Sequence, residues 1–210
     1  MYVTARIILL LVLPAWLCAA CQPIATPSIA EPLPDSRPTA AQNLDPDTEE
    51  YAVYAALLEG RFTGGETEQV LIVDHTRVNK AESVERDLTQ FQEVVPLTPE
   101  LVASFKERNQ QSNPLKPNLD LSIEYQLLSQ EEIDELQPKD EASGWKLFYE
   151  LYPKSVGFVY LSRVGFSADF SQALVYYSIY RYEQPIMGGY TVLSREDERW
   201  VVGESYEWMT

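Results

Sequence analysis

Histidine and cysteine, the side chains that most often carry nucleophilic or metal chemistry, are nearly absent from this chain. The single histidine, His75, sits in Asp74-His75-Thr76 at the end of an apolar run. An imidazole beside a carboxylate is the start of a general base. No Gly-x-Ser-x-Gly elbow accompanies it to complete a hydrolytic set. Zinc takes four Cys, His or carboxylate ligands, and both cysteines, Cys18 and Cys21, lie in the apolar N-terminus. No metal and no cofactor is expected, and His75 reads as a turn or surface residue.

Carboxylates are plentiful but poorly focused. Glu131, Glu132, Asp134 and Glu135 fall together, followed by Asp140 and Glu141, and Glu196-Asp197-Glu198 forms a further group. A calcium loop wants a glycine at its sharp turn. The first group instead follows Ser129 in a Ser-Gln-Glu-Glu capping box, where acids complement the positive end of a helix. Glu196–Glu198 reads as a charged hairpin tip. Two carboxylates in a pocket can hydrolyse a glycosidic bond, which keeps a small hydrolase as an alternative. Nothing in the spacing singles out two of the 32 acids, so no catalytic residue is assigned.

The aromatic residues carry more information. Along 173–183, Tyr176, Tyr180 and Tyr182 alternate to one side of a strand and Tyr177 points to the other. Trp200, Tyr206 and Trp208 are expected to share a face of the last strand. Tyrosine on both faces means that neither is simply bathed in water, and aromatic patches of this kind mark binding surfaces. Arg163 and Arg181, set among apolar neighbours, would present cations to an anionic ligand or pair with internal acids. Tyr176, Tyr180, Tyr182, Arg163 and Arg181 are the candidate ligand-binding residues.

The elements that must position them follow from periodicity. Asp47-Thr-Glu-Glu50 reads as a capping box, and Tyr51, Tyr54, Ala55 and Leu58 mark an amphipathic helix ending at Gly60. Val70–Val73 is a buried strand. Thr98 caps a helix with Pro99 in its first turn, 109–117 is a loop, and Ile123, Tyr125 and Leu127 alternate as a strand. Ser129 opens a short helix, and Trp145, Phe148, Tyr149 and Tyr152 mark another, stopped at Pro153. Segments 157–164, 173–183, 189–195 and 199–208 read as strands, with turns at 167–171, 185–189 and 196–198. The expectation is one α+β domain over 48–210, with N-terminal and middle helices packed on one face of a C-terminal four-stranded antiparallel meander.

Ahead of that domain, residues 1–6 carry Arg6 and residues 7–20 are apolar. Fourteen apolar residues suit a signal peptide and fall short of the roughly 20 needed to cross a bilayer. Leu17-Cys18-Ala19-Ala20-Cys21 resembles the lipobox of bacterial lipoproteins, although Leu17 lies one place further from Cys21 than the usual pattern. The resemblance implies removal of 1–20, lipidation of Cys21, and anchoring to a membrane on the extracytoplasmic side of a bacterial envelope. Ordinary secretory cleavage after Ala20, since Cys18-x-Ala20 also fits a small-x-small site, and an uncleaved anchor are the alternatives. Pro23, Pro27, Pro32, Pro34, Pro38 and Pro46 then mark 21–47 as a linker, about 25–30 Å across as a flexible coil. The chain holds 16 basic and 32 acidic residues, for a net charge of −16. Such a polyanion repels nucleic acid, which is excluded as a partner.

The order of helices and strands resembles the cone-shaped folds of nuclear transport factor 2-like and cystatin-like proteins. The run Trp145-Lys-Leu-Phe-Tyr-Glu-Leu-Tyr-Pro153, with Leu161–Phe166, Gln172–Tyr176, Gly189–Leu193 and Trp200–Val202, is similar to a family of uncharacterised bacterial exported proteins and lipoproteins. That similarity implies location and fold and assigns no activity. The reading is a tethered, noncatalytic domain that binds a small ligand or an envelope protein. A structural envelope protein that works by assembly is the further alternative. Metabolic labelling with a fatty acid should mark the parent chain and leave Cys21→Ser unmarked.

Overall fold

The computed structural model describes residues 44–136, 141–181 and 184–210, with the backbone alone for 141–145. The signal-peptide and lipidation positions, including Cys21, lie outside the described residues, as do the linker through residue 43, Asp140, Tyr182 and the side chains of Glu141 and Trp145. Among the described residues no helix is long and apolar enough to cross a membrane.

Helix α1 (Pro46–Phe62) is capped by Asp45, whose carboxylate accepts from the Asp47 amide and the Thr48 hydroxyl. The capping box expected between Asp47 and Glu50 does not form. Glu50 is instead turned inward, only 4% exposed. Arg163 Nε donates to both of its oxygens at 3.0 and 2.9 Å, and the Val164 amide donates at 2.7 Å. A carboxylate held this way cannot reach back to its own helix end.

The remaining helices begin where local chemistry dictates. α2 (Ala81–Gln92) packs through Val84, Leu88 and Phe91, at i, i+4 and i+7. α3 (Pro99–Arg108) is capped by Thr98, which accepts from the Leu101 amide at 3.2 Å. α4 (Gln130–Leu136) starts at a reciprocal capping box between Ser129 and Glu132. α5 (Glu141–Leu151) follows.

The domain is α+β, built on one mixed sheet of seven strands. β1 (Gln69–Val73) runs parallel to both β2 (Glu124–Leu128) and β3 (Phe158–Leu161). A central strand of that kind is buried on both faces, which is why its residues are apolar without alternation. β3 then pairs antiparallel with β5 (Gln172–Arg181), β5 with β6 (Gln184–Glu196), and β6 with β7 (Arg199–Met209). A short β4 (Gly165–Phe166) flanks β5. The expected four-stranded meander is not matched exactly: β3, β5, β6 and β7 pair in that order, but β4 branches off at β5 and two parallel strands extend the sheet. Residues 185–189, expected as a turn, belong to β6.

Helices cover both faces, not one. α1 places Val53, Leu57 and Leu58 on the side of Val70, Ile72, Val159, Val175 and Tyr177. On the other side, α2 and α3 cover Leu174, Tyr176, Tyr190 and Val192, while α4 and α5 cover Leu71, Val73 and Phe158. α3 lies directly on β4. A Cβ at Gly165 would come within 2.5 Å of the Phe105 backbone, so only glycine permits the approach.

The last strand also departs from strict alternation. Between Thr191↔Ser205 and Leu193↔Val202, β7 advances three residues against two on β6. This β-bulge reverses which side later residues face. Trp200 consequently joins the core under α1, and Tyr206 joins the opposite core under α2, correcting the expectation that Trp200, Tyr206 and Trp208 share a face. Glu50 should be the costliest surface-distant acid to remove. Urea unfolding of Glu50→Ala should show a loss of about 3 kcal/mol or more, because it leaves a desolvated arginine unpaired. Asp47→Ala, whose carboxylate is well exposed, should lose under about 1 kcal/mol.

Candidate functional site

The α2/α3 side of the sheet is not sealed. Residues paired across strands share a face, and one such row runs Tyr160–Ser178–Gly188–Trp208 from β3 to β7. The next row on that face is Tyr176–Tyr190–Tyr206. The pair α4/α5 packs at the β1–β3 end and the pair α2/α3 at the β5–β6 end. Between them a cleft of about 380 Å³ remains, with Tyr176, Tyr180, Tyr190 and Trp208 on the sheet side and residues from Arg77 to Asp87 on the other. A second hollow of about 400 Å³ adjoins it across Arg77–Asn79 and is floored by Val84 and Phe105.

The floor is shaped by small residues. A Cβ on Gly188 would lie 2.6 Å from Trp208 Cζ2 and 3.0 Å from Ser178 Cβ. The indole therefore lies across the glycine, and Ser178 is fully buried beside it. Burial pushes the phenols of Tyr160, Tyr176 and Tyr190 above their ordinary range, so all three are neutral donors at physiological pH.

Arg77 forms the opposite lip. Its guanidinium stands 4.7 Å from the Tyr180 ring centroid and 5.3 Å from that of Tyr160, two rings that themselves meet edge to face at 4.9 Å. Its backbone amide donates to Leu161 O, which fixes the loop after β1 against β3. Arg77 Nε donates to Asn79 Oδ1 at 3.2 Å. Among the described residues its two terminal nitrogens have no acceptor and no carboxylate partner. Lys80, at the start of α2, also lines the cleft and has no carboxylate partner among the described residues, while Arg86 pairs with Asp87 at 2.9 Å.

The sequence-derived candidates divide. Tyr176 and Tyr180 meet in the cleft, while Tyr182 lies outside the described residues. Arg163 is taken up by Glu50 and Asp47 under the far side of the sheet edge; burial opposes its charge, but Glu50 outweighs this and raises its pKa. Arg181 Nη2 donates to Val156 O at 3.0 Å and does not line the cleft. Trp208, expected on one face with Trp200 and Tyr206, lines the cleft with Tyr176 and Tyr180. Arg77 and Tyr160 are not marked by the sequence. The Arg77 signal is weak there, because only the β1–β3 pairing brings residue 77 over residues 160 and 180.

The rival chemistries fare as follows. His75 Nδ1 faces Asp74 Oδ1 at 2.6 Å on a well-exposed loop. Among the described residues no group of three His, Cys, Asp or Glu side chains could hold a metal. Asp45, Asp47 and Glu50 line a cavity of about 510 Å³. The hydrogen bond from Arg108 holds Asp47 below the usual carboxylate range, aided by Arg163. A general acid requires the opposite shift. No family model matches the chain, and no curated protein or solved structure matches it either. Gly188→Ala should displace the Trp208 indole, seen as a shift of its ring N–H resonance, and lower stability by about 1–3 kcal/mol.

Proposed function

We propose that this chain is an extracytoplasmic, lipid-anchored domain that binds a small ligand in the cleft between the tyrosine-rich sheet face and the loop leading into α2. The observation that carries the reading is the cleft in which half-buried Tyr180 and Trp208 face Arg77, a concave site with a few convergent polar groups. Pockets of about 300–1,000 Å³ are the usual size for small ligands, and the cleft with its neighbour falls in that range. The rigid sheet supplies flat surfaces, and aromatic rings give contact area at little cost in side-chain freedom. The lipobox-like segment and the proline-rich linker support the tethered location, and the likeness of 143–210 to exported bacterial proteins agrees with it. A binding role without catalysis fits the arginine-neutralised acids and the exposed histidine.

A small-molecule screen against the full-length chain, followed on the Trp208 ring N–H resonance, tests the reading. Hits should perturb Trp208 together with Tyr176 and Tyr180, and Tyr180→Ala should weaken them about five- to tenfold. Hits that gather only around His75 or around Asp47 and Glu50 would overturn it.

A further inference from the structure

The unpaired guanidinium at the cleft mouth narrows what the ligand can be. Thirty-two acids face sixteen bases in this chain, and most described cations near the core have found a carboxylate. Arg61 pairs with Glu207, Arg108 and Arg163 with Glu50, and Arg195 with Glu49. Arg77 is half-buried yet has none among the described residues. Its Nε is spent on Asn79, and its flat side rests against Tyr160 and Tyr180. What is left is the terminal edge, two nitrogens of a residue that lines the cleft.

We propose, building on the binding role above, that the cleft takes a small ring-bearing oxyanion, with its carboxylate or phosphate received end-on by Arg77 and its ring laid toward Trp208. Three features act together. A planar guanidinium fixed by stacking loses little freedom when it forms two parallel hydrogen bonds to an oxyanion. Lys80 stands on the same rim and adds a second positive charge, without a carboxylate partner among the described residues. The Asp87 carboxylate, the acid that lines the cleft, is occupied by Arg86 at 2.9 Å. Trp208 and Tyr180 flank the space where the body of such a ligand would lie, and their faces accept a ring of any substitution. Because the rest of the chain is strongly acidic, an anion gains nothing by long-range attraction. Selectivity must then come from direct contact, and the site discriminates by charge at short range.

Titrating the full-length chain with four probes of one size decides this. Phenylacetate and phenyl phosphate are the anions, phenylacetamide is the neutral match, and phenethylammonium is the cation. Both the Trp208 ring N–H and the Arg77 side-chain resonances are followed. The anions should bind about tenfold or more tightly than the amide, and the cation should not bind. A preference for phenyl phosphate over phenylacetate assigns a phosphate ligand, and the reverse a carboxylate. Arg77→Gln should lower anion affinity to that of the amide while leaving the amide unchanged. Lys80→Gln should lower it less. Arg199→Gln, on the exposed hairpin, should change nothing, and matching urea midpoints exclude unfolding as the cause. Equal binding of acid and amide at Trp208, or anion binding that survives Arg77→Gln, overturns the oxyanion assignment while leaving the cleft as a binding site. Anion binding that never moves Trp208 overturns both. Absence of binding by all four probes overturns the oxyanion assignment alone, since the wider screen does not depend on it.

Discussion

The fold turns on a single buried carboxylate. Glu50 receives Arg163 Nε on both oxygens, the Val164 amide, and Arg108 Nη2 at 3.3 Å. These donors come from the β3–β4 connection and from the end of α3, so one acid ties together elements that are far apart in sequence. Two neighbours strengthen the junction. The Tyr54 hydroxyl donates to Ser162 O at 2.7 Å, and Asn109 both donates to Arg163 O and accepts from its amide. α1 lies under one face of the sheet and α3 over the other, yet both hold the short β3–β4 connection, α1 through Glu50 and Tyr54 and the end of α3 through Asn109. A charge taken out of water must be fully partnered, and that requirement fixes the helices of the two layers against one another.

With α3 pinned at β4 through Gly165, the α2/α3 pair cannot slide toward α4 and α5. The strip of sheet beside that pair is left partly uncovered, with α2 forming one wall of the cleft over it. Its floor residues are small where Trp208 crosses and aromatic elsewhere, so the strip is neither flat nor filled. The Arg77 loop approaches from the end of β1 because β1 is parallel to β3. An antiparallel β1 would deliver that loop to the opposite end of the sheet. The parallel pairing at one end of the sheet and the open cleft near its middle are thus geometrically linked.

Much of this was legible in residue order. The apolar Val70–Val73 run, the Thr98 cap and the Ser129–Glu132 box are local devices, and each acts within a few residues. α2 passed unnoticed because its exposed positions are highly polar, although Val84, Leu88 and Phe91 carried the helical spacing. Glu50 and Asp47 misled for a different reason. The capping-box pattern was present, but a tertiary partner 113 residues away claimed the acid. Of the candidate site, Tyr176 and Tyr180 could be found by alternation along one strand. Arg77 and Tyr160 could not, and Trp208 could be named but not placed, because the three come together only through strand order and through register shifts on either side of β6.

The bulge opposite Val192 gives β7 a property unlike that of the other strands. Its two tryptophans serve different layers, Trp200 bonded to Glu49 of α1 at 2.8 Å and Trp208 laid over the cleft floor. What separates their assignments is one surplus amino acid in the strand. Loss of that residue would not merely shorten β7; it would exchange inside for outside along everything downstream, sending Trp208 away from Gly188. The length of this final segment is therefore constrained by parity, and a single-residue deletion there is a more drastic change than most substitutions of either indole.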